Sequence, residues 1–168
     1  MSFALAWMAG LLALCLDLFV REAFMLDAWS PDFLAVVLLW LGTTRSWTQG
    51  AIIATTLGAV ADAFAGSPLG MHMFHGLLLF YLSRTVSSRV LFQGFVGRLL
   101  LGLVGGLASL FLLTLIGRLV LADARLAVRI THLILPRILV VVAAVPFAFP
   151  IMDRLEALFV RQPERDLM

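Results

Sequence analysis

Apolar runs separated by short polar segments divide the chain. The runs begin near Phe3, Phe33, Gly50, Leu69, Leu99 and Leu133, and they end near Val20, Gly42, Ala65, Ser83, Gly117 and Met152. A helix that crosses a membrane requires about 20 predominantly apolar residues. The pattern therefore predicts a bundle of about six transmembrane helices. Five is the alternative count, because the second and third runs are short.

The composition places these helices in a membrane. Of the 168 residues, 62% are hydrophobic and 13% are charged, whereas soluble domains average about 45–50% apolar and about 25% charged residues. A soluble chain of this size has too little interior to hide such an excess. We therefore expect an all-α integral membrane protein, with residues 1–168 forming a single polytopic domain. A soluble enzyme and a nucleic-acid-binding domain are excluded.

The charged residues predict the orientation in the membrane. All 12 basic residues are arginines, and they are scattered around the ends of the apolar runs. An arrangement with both termini in the cytoplasm places more arginines inside than outside, as the positive-inside rule requires. No basic residue precedes the first run, so we expect a retained span and not a signal peptide. Asp17 and Arg21 are four residues apart and are expected to pair.

Two segments between the apolar runs contain most of the remaining arginines. Residues 83–98 are expected to form a polar connector. Residues 118–132 are expected to form a short amphipathic helix on the membrane surface, with Arg125 and Arg129 one turn apart. Together with Arg118, these arginines are candidates for contact with a partner or with anionic lipid, and a headgroup anchor without a partner is the alternative. The last run carries Pro136, Pro146 and Pro150, so we expect kinks.

One row of small residues follows the third helix and the turn after it. Its members are four residues apart and share one helix face: Gly50, Ala54, Gly58, Asp62 and Gly66. Small residues at this spacing allow a close approach of helices in lipid. The fifth helix has a similar row of Gly94, Gly102 and Gly106, with Gly105 and Ser109 beside it. Both rows are predicted to be packing seams.

Asp62 differs from its neighbours because an acidic residue within a span costs about 2.5–3.5 kcal/mol on insertion scales. Its carboxylate could accept hydrogen bonds from the turn at residues 66–70 and so hold the start of the fourth helix, which is the interpretation we favour. The alternative is that it binds a cation or a polar ligand group.

Candidate chemistry is sparse elsewhere. His72 and His75, three residues apart, could bind a divalent metal together with Asp62, but a histidine pair at the membrane interface is the stronger interpretation. The single cysteine, Cys15, excludes an internal disulfide and a thiolate metal site. No catalytic, cofactor-binding or metal-binding residue is therefore predicted.

Three motifs resemble the rod shape-determining protein MreD family. They are Trp29-Ser30-Pro31-Asp32-Phe33, Gly58-x-x-x-Asp62, and Ala65-Gly66-Ser67-Pro68-Leu69-Gly70. The resemblance covers about residues 29–83, and it marks Pro31, Asp32, Gly58, Asp62, Gly66, Pro68 and Gly70 as motif positions. It also implies a fold similar to the substrate-binding subunits of energy-coupling-factor transporters.

The resemblance implies a non-catalytic scaffold in the bacterial inner membrane, within the machinery of cell elongation and peptidoglycan synthesis. Such a protein binds MreC and helps couple MreB filaments to RodA and a class B penicillin-binding transpeptidase. The alternative is a solute-binding membrane subunit of a transporter of the energy-coupling-factor type, with a pocket near Asp62. The polar residues available within the spans for that pocket are few: Asp62, Thr55, Thr56, His72 and Thr114.

Overall fold

Six α-helices make up the structure, a computed structural model that describes residues 3–24, 32–65, 70–89, 94–121 and 124–159. They are α1 (Phe3–Phe24), α2 (Phe33–Thr44), α3 (Trp47–Ala65), α4 (Met71–Arg89), α5 (Gly94–Leu121) and α6 (Ala124–Phe159). The described ranges contain no β-strand. The all-α class and the count of six helices are confirmed, whereas the crossing of the membrane by all six stays a prediction.

Three stretches are long and apolar enough to cross a membrane. They are Phe3–Ala23 in α1, Gly94–Leu112 in α5 and Ile138–Leu158 in α6. Helix α2 is also apolar but has only 12 residues. Since a helix rises about 1.5 Å per residue, α2 is shorter than the hydrocarbon core of a bilayer, which is about 30 Å thick.

Helix α2 forms the centre of the bundle. Its seven consecutive residues from Ala35 to Leu41 are each at most 2% exposed, so every face of the helix is covered. Helices α1, α3, α4, α5 and α6 all contact it. A helix that is apolar on all sides needs such complete burial, and this position explains why the short second run contains no polar stripe.

Two segment predictions are wrong. Residues 118–132 do not form a separate surface helix, because α5 continues to Leu121 and α6 begins at Ala124. Residues 83–98 are largely helical, since α4 continues to Arg89 and α5 begins at Gly94. Polar residues therefore do not end α4, and the Thr85 hydroxyl donates a hydrogen bond to the Tyr81 carbonyl oxygen of the same helix, at 2.8 Å.

The three prolines of the last run lie inside α6, which the structure assigns as one helix of 36 residues. A proline in a helix interior lacks the N–H group that would bond to the preceding turn. The kinks expected at Pro136, Pro146 and Pro150 stay a prediction.

Candidate functional site at the carboxylate end of the bundle

Asp62, in the last turn of α3, caps the start of α4. Its Oδ2 atom accepts a hydrogen bond from the Gly70 N–H at 2.8 Å, and its Oδ1 atom accepts one from the His72 N–H at 2.8 Å. A longer bond of 3.4 Å comes from the Met73 N–H. The first N–H groups of a helix have no partner within the helix, so the buried carboxylate provides their acceptors. These are the contacts that the capping interpretation of Asp62 describes.

Gly70 has the backbone conformation that this cap requires. Its φ angle is +99°, in the left-handed region, and no atom lies within 4 Å of the position a Cβ would occupy. Glycine adopts this region without the steric cost that a side chain imposes. The requirement for glycine here is therefore conformational and does not come from packing.

Two further carboxylates cap α2 at the same end of the bundle. Asp17, from α1, accepts hydrogen bonds from the Phe33 N–H at 2.8 Å and from the Leu34 N–H at 3.1 Å. Asp32 is the N-cap residue and accepts from the Ala35 N–H at 3.0 Å. The first three N–H groups of α2 are thus satisfied. We call the region around Asp17, Asp32 and Asp62 the carboxylate end.

Sequence reasoning missed the role of Asp17. A spacing of four residues from Arg21 predicts a pair within one helix, but it carries no information about a helix that begins 16 residues later. The apolar context of Asp17 was the one available signal, because an acidic residue in an apolar run needs partners.

A cleft of about 370 Å³ opens between α1, α2, α3 and α4 at the carboxylate end. Its polar lining residues are Asp17, Arg21, Glu22, Asp32, His72 and His75, and its apolar ones are Leu14, Leu18, Leu34, Ala35, Leu38, Ala61, Phe64 and Ala65. Three carboxylates face one guanidinium in this lining. Asp62 is not among the lining residues, so the cleft differs from the pocket at Asp62 that the sequence suggested.

The row of small residues on α3 packs against α4. A Cβ added at Gly58 would lie 2.5 Å from the Met73 Cα atom, and one added at Gly50 would lie 2.1 Å from a ring carbon of Phe80. Between them, Ala54 is fully buried. The row therefore lets the backbones of α3 and α4 approach each other, and Asp62 caps α4 one turn further on.

The three glycines of the predicted row on α5 separate into two groups. Gly102 and Gly106 face α6, where an added Cβ would lie 3.2 Å from Val142 Cα and 2.9 Å from Ile138 Cγ2, respectively. Gly94 belongs to no seam, since nothing lies within 4 Å of its Cβ position. It begins α5 with a φ angle of +88°. Its inclusion in the packing row was wrong.

The two histidines have different partners. The His72 Nδ1 atom lies 2.9 Å from Asp62 Oδ1, whereas His75 Nε2 lies 2.8 Å from Ser109 Oγ on α5. Within the described residues, no group of three histidine, cysteine or acidic side chains is arranged to hold a metal ion.

Several predicted positions lie outside the described residues. They are Pro31, Gly66 and Pro68, together with the side chains of Arg118, Arg125 and Arg129. The backbone of Arg118 belongs to α5, and the backbones of Arg125 and Arg129 belong to α6. Their proposed contacts with a partner or with lipid stay a prediction.

At the opposite end of the bundle, ion pairs and a hydrogen bond from a tryptophan connect the helices. Arg45 Nη2 lies 3.0 Å from Glu156 Oε1, and Arg98 Nη2 lies 3.3 Å from Asp153 Oδ2. The indole N–H of buried Trp40 donates to Asp153 Oδ1 at 2.9 Å. We call this region the arginine end. The sequence contains no signal for these pairs, because the partners are 55 to 113 residues apart.

The model of the rod shape-determining protein MreD family matches residues 1–157. The chain belongs to the MreD family. The match extends the resemblance from residues 29–83 to nearly the whole chain. No curated protein and no solved structure matches the chain. Family membership and the apolar helices together identify a membrane protein with a role in determining rod shape.

Proposed function

We propose that this MreD-family chain is a non-catalytic scaffold of the elongasome in the bacterial inner membrane. It binds MreC and helps couple MreB filaments to RodA and a class B penicillin-binding transpeptidase. All six helices cross or enter the membrane, and both termini face the cytoplasm. The observation that carries the proposal is the family match over residues 1–157.

The packing of the described helices is compatible with a scaffold. Burying a carboxylate in apolar surroundings is costly, and here the buried carboxylates cap α2 and α4. Asp62, for example, accepts hydrogen bonds from N–H groups at the start of α4. Large apolar side chains are exposed in a row on α1, at Met8, Leu12 and Phe19, each about two-thirds exposed. In a membrane such a surface faces lipid or the transmembrane helix of a partner, and association there depends on packing and hydrogen bonds.

Crosslinking in native membranes tests the scaffold function. The full chain, tagged and expressed in its own host, is crosslinked mildly and extracted in detergent, and the proteins that accompany it are identified by mass spectrometry. We expect MreC, with RodA and the transpeptidase in smaller amounts. An unrelated polytopic protein with the same tag controls for nonspecific capture. Absence of MreC from the specific fraction would contradict the proposal.

Cys15 makes it possible to map the contact. It is the single cysteine of the chain and is exposed on α1, so a thiol-reactive crosslinker needs no engineered site there. A Cys15→Ser variant controls for reaction at other groups. A crosslink to MreC that disappears in this variant would place the partner beside α1.

A solute-binding subunit of an energy-coupling-factor type transporter is the second candidate. The cleft at the carboxylate end favours it, because about 370 Å³ lies within the range of roughly 300–1,000 Å³ that is typical of small-molecule sites. Recovery of a transport coupling subunit with ATPases, in place of MreC, would establish this function over the scaffold.

A further inference from the structure

The cleft at the carboxylate end has acceptor atoms that no described group uses. Asp32 accepts from Ala35 N–H through Oδ1, and its Oδ2 atom has no hydrogen-bond partner in the described part of the chain. Glu22, exposed at the cleft, likewise has no partner among the described residues. A carboxylate accepts hydrogen bonds at both oxygens. The cleft therefore offers negative charge and free acceptors to a ligand.

His75 adds a buried ring nitrogen to the lining of the cleft. The residue is 5% exposed, and its Nε2 atom lies 2.8 Å from Ser109 Oγ, within hydrogen-bond distance. When Ser109 accepts this hydrogen bond, Nδ1 is an acceptor, and Nδ1 has no partner among the described residues. A buried, half-satisfied imidazole thus lines the same cavity as the free carboxylate oxygens.

These acceptors match a primary ammonium group. An ammonium has donors and no acceptor, and three carboxylates against one guanidinium give the lining an excess of negative charge. Arg21 provides the complementary feature, because a guanidinium has five N–H donors in a geometry that matches phosphate. A ligand that carries an ammonium close to a phosphate satisfies both parts of the lining.

The apolar part of the lining distinguishes a lipid from a soluble amine. Leu18 and Phe64 border the cleft, and they are 36% and 66% exposed. In a membrane protein, exposed leucine and phenylalanine side chains face acyl chains. A ligand whose polar group enters the cleft can therefore continue onto an apolar surface without leaving the membrane.

We propose that the cleft binds the headgroup of an aminophospholipid of the phosphatidylethanolamine type. The ammonium lies among Asp32, Glu22 and His75, the phosphate lies at Arg21, and the acyl chains pass over Leu18 and Phe64. The inference goes beyond the scaffold function and does not rest on it, since the lipid binds the isolated chain.

Native mass spectrometry of the purified full chain tests this inference. The protein is reconstituted with equal amounts of phosphatidylethanolamine, phosphatidylcholine and phosphatidylglycerol. The lipid molecules of each type that stay bound to the protein in the mass spectrum are then counted. Phosphatidylcholine differs in having a quaternary ammonium, which has no N–H donor. We expect phosphatidylethanolamine to be retained about tenfold more than phosphatidylcholine, equivalent to about 1.4 kcal/mol. Equal retention of the two lipids would overturn the proposal.

The double variant Asp32→Asn with Glu22→Gln tests whether the preference for phosphatidylethanolamine depends on the carboxylates of the cleft. Asparagine is as good an N-cap residue as aspartate, so α2 keeps its cap while the charge is lost. The matched control is Asp153→Asn, which removes a carboxylate at the arginine end. We expect the double variant to lose the preference and the control to keep it, with folding of both checked by thermal unfolding. A preference that survives in a folded double variant would overturn the proposal.

A competition experiment distinguishes a lipid ligand from a soluble amine. Soluble phosphoethanolamine carries the same charged groups without acyl chains, and we expect it not to displace the retained lipid at millimolar concentration. Displacement would show that the headgroup alone is the ligand and would overturn the lipid assignment in favour of a soluble solute. Because the protein is pure in every arm, failure to bind MreC does not change the result.

Discussion

The two ends of the bundle are held together by different kinds of contact. At the carboxylate end, Asp17, Asp32 and Asp62 accept hydrogen bonds from backbone N–H groups 3 to 17 residues away in sequence. At the arginine end, side chains pair with side chains 55 to 113 residues away. The first end depends on turns between consecutive helices, and the second depends on the return of α6 to α2.

The ends also differ in their exposure to solvent. The Asp62 side chain is completely buried, whereas those of Arg98 and Asp153 are 29% and 46% exposed. Unsatisfied backbone groups in an apolar environment cost several kcal/mol each, but exposed ion pairs contribute only about 0–1 kcal/mol. We therefore expect equivalent substitutions to cost more at the carboxylate end.

The largest effect is expected for Gly58→Leu, in the seam beside the carboxylate end. The new side chain would overlap the backbone of α4 near Met73, which cannot move without separating the helices, so we expect a loss of more than about 4 kcal/mol. Folded protein is measured by size-exclusion chromatography after detergent extraction. The matched control is Ala63→Leu, an exposed position of the same helix. Normal folding of Gly58→Leu would remove this seam from the explanation of the fold.

Asp62→Ala is expected to have the next largest effect. The N–H groups of Gly70, His72 and Met73 would lose their acceptor, and a buried unsatisfied group costs about 1–3 kcal/mol. We expect a loss of about 3 kcal/mol, with Asp62→Asn intermediate because the amide keeps one acceptor oxygen. Thermal unfolding in a single detergent measures both. An unchanged midpoint in Asp62→Ala would contradict the capping role.

Asp153→Ala makes the same change at the arginine end. The indole N–H of Trp40 and the Arg98 guanidinium would lose an acceptor, but water reaches this half-exposed site. We expect a loss of about 1 kcal/mol, measured under the conditions used for Asp62→Ala. A loss equal to or greater than that of Asp62→Ala would reverse the proposed ranking of the two ends.

Glu156→Gln is expected to have the smallest effect. It removes the negative charge opposite Arg45 at a partly exposed position, so we expect a loss of about 0.5 kcal/mol. High salt should reduce the difference between the wild type and the variant, because ions screen the pair. A difference that is independent of salt would show that the contact depends on packing and not on charge.

How well the sequence predicts a contact in the site depends on how far apart the two partner residues are along the chain. The acceptor role of Asp62 could be anticipated because the turn that it caps follows within eight residues and contains glycine. The local pattern pairs Asp17 with Arg21, because such a pattern relates only residues that are about one helix turn apart. The prediction of a surface helix at residues 118–132 is wrong for a related reason. Charged residues beside an apolar run do not show where a helix ends.

The amino-acid sequence by itself determined the all-α class, the six helices, the membrane setting and the row from Gly50 to Asp62. These properties depend on local hydropathy and on the spacing of residues along one helix. Tertiary structure decided that α2 lies at the centre, that α4 fills the seam on α3, and that Asp153 of α6 meets Trp40 of α2. Packing between distant segments sets these contacts, because apolar helices have similar faces, and only the assembled bundle determines which faces meet.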